Sequence, residues 1–147
     1  MKAIKLYNYS ASILSFAILL FAVFSLSSCA KKISFIASDV VPAAQGRVKI
    51  KKDKNDNYAI EVSVTNLAEA KRLKPSKETY VVWIETENNG IKNIGRMNSS
   101  SGLFSSGLKA SLNAISSYKP LRVFITAEND ADILYPGSHF VLGTRTF

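Results

Sequence analysis

One thiol, one imidazole and a few strand-end carboxylates are the groups from which this 147-residue chain could build chemistry. The thiol is Cys29, the only cysteine, and it closes the run Leu26, Ser27, Ser28, Cys29. Ser27 and Ser28 add little bulk around the sulfur and Leu26 suits an apolar subsite, so an enzyme at a membrane surface can reach and alkylate the thiol. A disulfide within the chain is excluded, because Cys29 has no partner. The imidazole, His139, precedes Phe140 and Val141 at a strand start. As a general base it would need a nucleophile within hydrogen-bond reach, and the sequence places neither Ser138 nor a distant serine there. One histidine without cysteines in the exported part does not make a structural zinc site. Glu85 and Glu87 share a strand face and read as a charged strand end meeting water. Glu128, ahead of Asn129, Asp130 and Asp132, reads as a solvated turn carboxylate, with a weak cation site as the alternative. Gly102 and Gly107 lack the lysine and hydroxyl that follow a phosphate-cradling glycine loop. The expectation is a protein with no catalytic residue, no metal and no cofactor, and not an enzyme.

The elements that position these groups begin with the first 28 residues. Lys2 and Lys5, an apolar stretch from Ile13 through Phe24, and then small residues have the three-part layout of a secretory signal. The apolar run is shorter than the roughly 20 residues a transmembrane helix needs, and a plain secretory signal would leave Cys29 idle at the cleavage position. The segment resembles bacterial lipoprotein precursors, with Leu26, Ser27 and Ser28 as the lipobox. In that family the cysteine is alkylated with diacylglycerol, the signal is cut just before it, and its freed amino group is open to N-acylation. Two or three chains anchor stably where one binds marginally. The resemblance therefore implies a membrane-anchored chain whose only bound groups are covalent lipids on Cys29. Ala30, in place of an aspartate, resembles lipoproteins sorted to the outer membrane, facing the periplasm. The expected organisation is a signal at 1–28, a lipidated N-terminus and short tether at 29–36, and one domain at 37–147.

The chain is basic, with a formal charge of +8 that includes Lys2 and Lys5. Positive clusters fall at Lys31 and Lys32, at Lys49, Lys51, Lys52 and Lys54, and at Lys71, Arg72, Lys74 and Lys77. An exported domain without a basic face interleaved with stacking aromatics is not expected to bind nucleic acid. Anionic headgroups or acidic glycans fit the charge better, and Lys31 and Lys32 follow directly on the anchor. A solvated face is the plain reading of such clusters.

From Ile33 onward the apolar spacing is mostly two, which predicts strands. Val48 and Ile50 alternate with Arg47, Lys49 and Lys51; Tyr58, Ile60, Val62 and Val64 alternate with Ala59, Glu61, Ser63 and Thr65. The polar stretch from Lys52 to Asn57 between them makes a turn, so the two runs form a hairpin. Thr79 to Thr86 is apolar on both faces and reads as a central strand covered twice, with Trp83 in the core and its indole needing a hydrogen-bond partner. Asn88, Asn89 and Gly90 turn the chain into Ile91 to Met97. Leu108 to Leu112, Leu121 to Glu128 and His139 to Phe147 supply further strands. Asn66 to Lys77 has room for one helical turn before Pro75 stops it, and Met97 to Ser106 reads as a loop or weak edge strand. Short strands at this spacing predict a single antiparallel β-sandwich, immunoglobulin-like or related.

From about Tyr58 to Phe147 the chain resembles the extracytoplasmic C-terminal domain of anti-sigma-K-type factors. The resemblance is carried by Leu67, the run Tyr80, Val81, Val82, Trp83, the turn at Asn89 and Gly90, Ile94 with Gly95, the run Phe124 to Glu128, and Pro136, Gly137 and Val141. It implies a β-sandwich-like domain outside the membrane. In the family that domain is joined through a transmembrane helix to a cytoplasmic sigma-binding module, which has no counterpart in the residues before Cys29. The expected function is a lipid-tethered interaction or envelope-sensing domain with an envelope protein as partner. The alternative is a glycan- or anionic-lipid-binding module acting through the basic loop at Lys71, Arg72, Lys74 and Lys77.

Overall fold

Alternating side chains divide the chain into two sheets. In the computed structural model, which describes residues 30–100 and 107–147, the strands are β1 (Lys31–Ser34), β2 (Gln45–Lys52), β3 (Tyr58–Leu67), β4 (Thr79–Thr86), β5 (Ile91–Arg96), β6 (Asn98–Ser100), β7 (Leu108–Ser116), β8 (Pro120–Glu128) and β9 (Phe140–Gly143). All pairings are antiparallel. They form a five-stranded sheet ordered β1-β2-β3-β7-β6 and a four-stranded sheet ordered β5-β4-β8-β9. The two pack face to face as the β-sandwich that the period-two pattern predicts. The lipobox residues Leu26, Ser27 and Ser28, with Cys29, lie outside the described residues, as do residues 101–106 of the serine-rich stretch. No helix among the described residues is long and apolar enough to cross a membrane.

The core lies between the sheets. Val48 and Ile50 of β2, Ile60, Val62 and Val64 of β3, Tyr80, Val82 and Ile84 of β4, and Val123 and Ile125 of β8 all point into it. Each buried aliphatic side chain contributes about 1.5–3 kcal/mol relative to exposure. The β2–β3 hairpin forms as expected, closed by Asp53, whose Oδ1 accepts hydrogen bonds from the amides of Asn55 at 2.8 Å and Asn57 at 2.9 Å. The Asn57 amide, with help from Asn55, holds the Asp53 carboxyl below its ordinary range. In β3 the alternation breaks once. Asn66 takes a left-handed φ of 56°, a conformation asparagine tolerates, and this bulge returns Leu67 to the core at 1% exposure.

The doubly apolar β4 has the second cover that its sequence demands. Val81 and Trp83 leave the main core on the opposite face and pack with Phe124 of β8 under Ala131 and Ile133. The segment between β8 and β9 therefore folds back over the outside of the four-stranded sheet. The Trp83 indole donates to Thr126 Oγ1 at 2.8 Å, and its ring stacks on Phe124 with centroids 6.3 Å apart.

Several boundaries differ from the sequence reading, among them that of β7, which continues past Leu112 to Ser116. The expected tether at 29–36 already contains a strand, because Lys31 to Ser34 complete the β2 edge from Ile50 to Arg47. The final strand shortens to Phe140–Gly143. The helical turn before Pro75 is a single 3-10 turn at Ala70–Arg72. Registers also orient the sandwich. Lys31, the 53–57 turn, the 87–90 turn, the 117–119 loop and Phe147 gather at one end, while the 68–78 segment and the start of the β8–β9 loop lie at the other.

Candidate functional site

β5 carries the strand irregularity around which a broad cleft is built. Gly95 has φ 126°, a conformation that disfavours any residue with a Cβ, and it coincides with the register shift between Val82 and Trp83. A Cβ at Gly95 would stand 3.4 Å from Leu112 Cδ1, so β5 lies close over β7 here. The chain then changes sheets. Met97 donates its amide to the Tyr80 carbonyl at 2.9 Å, and the next residues join the five-stranded sheet as β6, pairing only with Lys109 to Ser111 of β7.

Two strand edges are left side by side. β5 borders the four-stranded sheet, and β7 from Leu112 to Ser116 has no partner on its β6 side among the described residues. Between them opens a cleft of about 960 Å³, walled by Lys92–Arg96, Ile115–Tyr118 and Ala131–Leu134. Asn93 fixes the third wall. Its Nδ2 donates to the carbonyls of Ala131 at 2.8 Å and Ile133 at 2.9 Å, and its Oδ1 accepts from the Gly95 amide at 2.9 Å. One side chain thus ties the bulge to the covering loop.

The surface around this cleft combines apolar and cationic side chains with one exposed carboxylate, Asp132, on the loop wall. Ile115 is 75% exposed, Leu134 80% and Tyr135 81%. Tyr118 is exposed as well, with Lys92 Nζ 5.3 Å from its ring centroid, and Arg96 stands exposed on the opposite strand. Unpaired strand edges accept an extended peptide through main-chain hydrogen bonds. Exposed aliphatic and aromatic side chains beside them supply contact area that an isolated surface residue does not.

The sequence-predicted groups fall elsewhere. Lys71, Arg72, Lys74 and Lys77 sit on the far-end segment and do not converge: Lys71 pairs with Glu78 at 3.1 Å and Arg72 with Glu69 at 3.2 Å. His139 is partly exposed, and the hydroxyl nearest its ring is Ser138 Oγ, 3.5 Å from Nδ1. Glu85 is exposed, whereas Glu87 pairs with Lys119 at 3.0 Å. Glu128 is not the solvated carboxylate its neighbours suggested. It is 5% exposed, and its Oε1 accepts the Gly137 amide at 2.8 Å. A Cβ at Gly137 would fall 2.5 Å from Glu128 Oε2, so a larger residue there would displace the carboxylate. No group of three or more His, Cys, Asp or Glu that could hold a metal ion occurs among the described residues.

The cleft was not singled out from the sequence, although two signals for it were present. Ile115 is apolar at an outward position that Ser111 and Asn113 otherwise keep polar, and Leu134 and Tyr135 are large apolar residues in a segment without strand alternation. No protein-family model matches the chain, and neither a curated protein nor a solved structure does.

Proposed function

We propose that the chain is a bacterial envelope lipoprotein, lipidated on Cys29 and held at the periplasmic face of the outer membrane. Its β-sandwich is non-catalytic and binds an extended segment of another envelope protein. The lipobox run supports the anchor, and the likeness of Tyr58 to Phe147 to the outer domain of anti-sigma-K-type factors supports an interaction or sensing role. The carrying observation is the cleft between the β5 edge and the part of the β7 edge that has no strand partner among the described residues, bordered by Tyr118, Leu134, Lys92 and Arg96. A partner strand laid there gains main-chain hydrogen bonds along the edge and apolar contacts for alternate side chains. Lys92 and Arg96 favour acidic residues in that segment.

Site-specific photocrosslinking in the native host tests this reading. A crosslinker replacing Tyr118 in the full chain is expected to capture one envelope protein, and Leu134→Asp should abolish that adduct. A crosslinker replacing Lys74, at the opposite end, should not capture the same protein. Equal capture from both positions, or none from Tyr118, would overturn the assignment.

A further inference from the structure

The sheet begins almost at the anchor. Lys31 is already part of β1, so Ala30 alone separates Cys29 from the first strand. Consecutive Cα atoms are about 3.8 Å apart, which leaves lipids on Cys29 little slack to hold the domain off the bilayer. The surface beside Ala30 must then meet the headgroups.

That surface is unusual for a sheet. Lys32 stands directly opposite Lys49 in the β1–β2 register, and Lys51 follows on the same face of β2. Like charges placed opposite each other destabilise a strand pair. Glu61 bridges Lys49 at 2.9 Å, while Lys32 and Lys51 have no acidic partner among the described residues. The next cross-strand row aligns Lys51, Ala59 and the exposed Ile115. Ala30, Lys49, Lys51 and Ile115 border a hollow of about 490 Å³ with a largely apolar lining.

We propose that this outer face of the five-stranded sheet docks on the anionic phospholipid surface of the membrane that holds the anchor. Lys32 and Lys51 meet the phosphates, and Ile115, which borders both this hollow and the β5–β7 cleft, lies at the boundary between the docking face and the cleft. The local repulsion between Lys32 and Lys49 is relieved when phosphates come between them. The proposal rests on lipidation of Cys29 and adds an orientation to it, directing the β5–β7 cleft sideways along the membrane. It assigns no headgroup role to Lys71, Arg72, Lys74 or Lys77, which lie at the other end of the strands.

The test uses the full chain purified from membranes, with its intact mass reporting the lipid on Cys29. The protein is placed in vesicles of phosphatidylcholine, or of phosphatidylcholine with phosphatidylglycerol, and the rate of amine labelling is read lysine by lysine. In the anionic vesicles Lys32 and Lys51 should label about five-fold more slowly, the effect of headgroup attraction on one surface lysine, while Lys74 and Lys77 keep their rate. Screening by salt should remove the protection, and the double variant Lys32→Glu, Lys51→Glu should lose the difference between vesicles. An acylated chain whose Lys32 and Lys51 label equally in both vesicles overturns the docking face and leaves the anchor standing. An unacylated chain that still shows the protection supports the face and removes the anchor.

Discussion

Tyr80 couples the fold to alkaline pH. It is 5% exposed, its hydroxyl donates to the Ala68 carbonyl at 3.0 Å, and burial pushes its pKa from 10.0 up to about 12. The folded chain therefore holds this proton more tightly than the unfolded chain. Its contribution is complete below about pH 10 and is lost as pH rises toward about 12. Urea unfolding measured across that window should show the midpoint falling, and Tyr80→Phe should flatten this part of the dependence while costing about 1 kcal/mol at neutral pH for the lost hydrogen bond. A second residue-scale prediction concerns Thr126→Val. It removes the acceptor of a buried indole and leaves a donor unsatisfied, so the urea midpoint should shift by the equivalent of about 1–3 kcal/mol. Trp83 was legible from the sequence because it sits within a strand that is apolar on both faces. Its acceptor was not, because Thr126 lies 43 residues away and nothing local marks it.

The elements divide by how much of their environment is local. β2 and β3 could be read directly, since each must bury every second side chain and a shift of one residue would expose the whole set, and β4 and β8 could be read from short continuous apolar runs, as strands buried on both faces. β1 could not, because its pattern of Lys31, Lys32, Ile33 and Ser34 holds one buried-face residue and owes its form to the β2 edge. The switch from β5 to β6 was hidden as well. Gly95 signalled a bend, but whether the chain continues in one sheet or crosses to the other depends on the Tyr80 carbonyl that captures the Met97 amide. The loop over Trp83 is likewise a tertiary feature, held by Asn93. Asn93→Ala should release the two carbonyls and leave the core intact: amide exchange should quicken through residues 129–139, with β3 and β8 unchanged, and unfolding should ease by about 1–2 kcal/mol. Uniform acceleration throughout would show that the loop and core open together.

For the whole molecule, the address and the domain are separable. Cys29→Ala should abolish incorporation of labelled lipid and leave the uncleaved precursor in the membrane fraction; unchanged lipid labelling would refute the anchor. The sandwich architecture followed from strand spacing because a chain without disulfides must stabilise itself by burying apolar faces. The cleft proposed to bind a partner did not follow, because it is assembled from β5, the end of β7 and a distant loop. The two chain ends give this arrangement a practical corollary. Lys31 shares its strand face with Ile33, which packs on the core as Phe147 does, and Lys31 Nζ lies 4.9 Å from the centroid of the Phe147 ring, so a fluorescent protein or affinity tag fused after Phe147 would leave the molecule at the end nearest Ala30 without covering the proposed docking face. Inserted beside Lys74 instead, the same cargo would leave at the other end, and comparing the two fusions would gauge how much room the first end has.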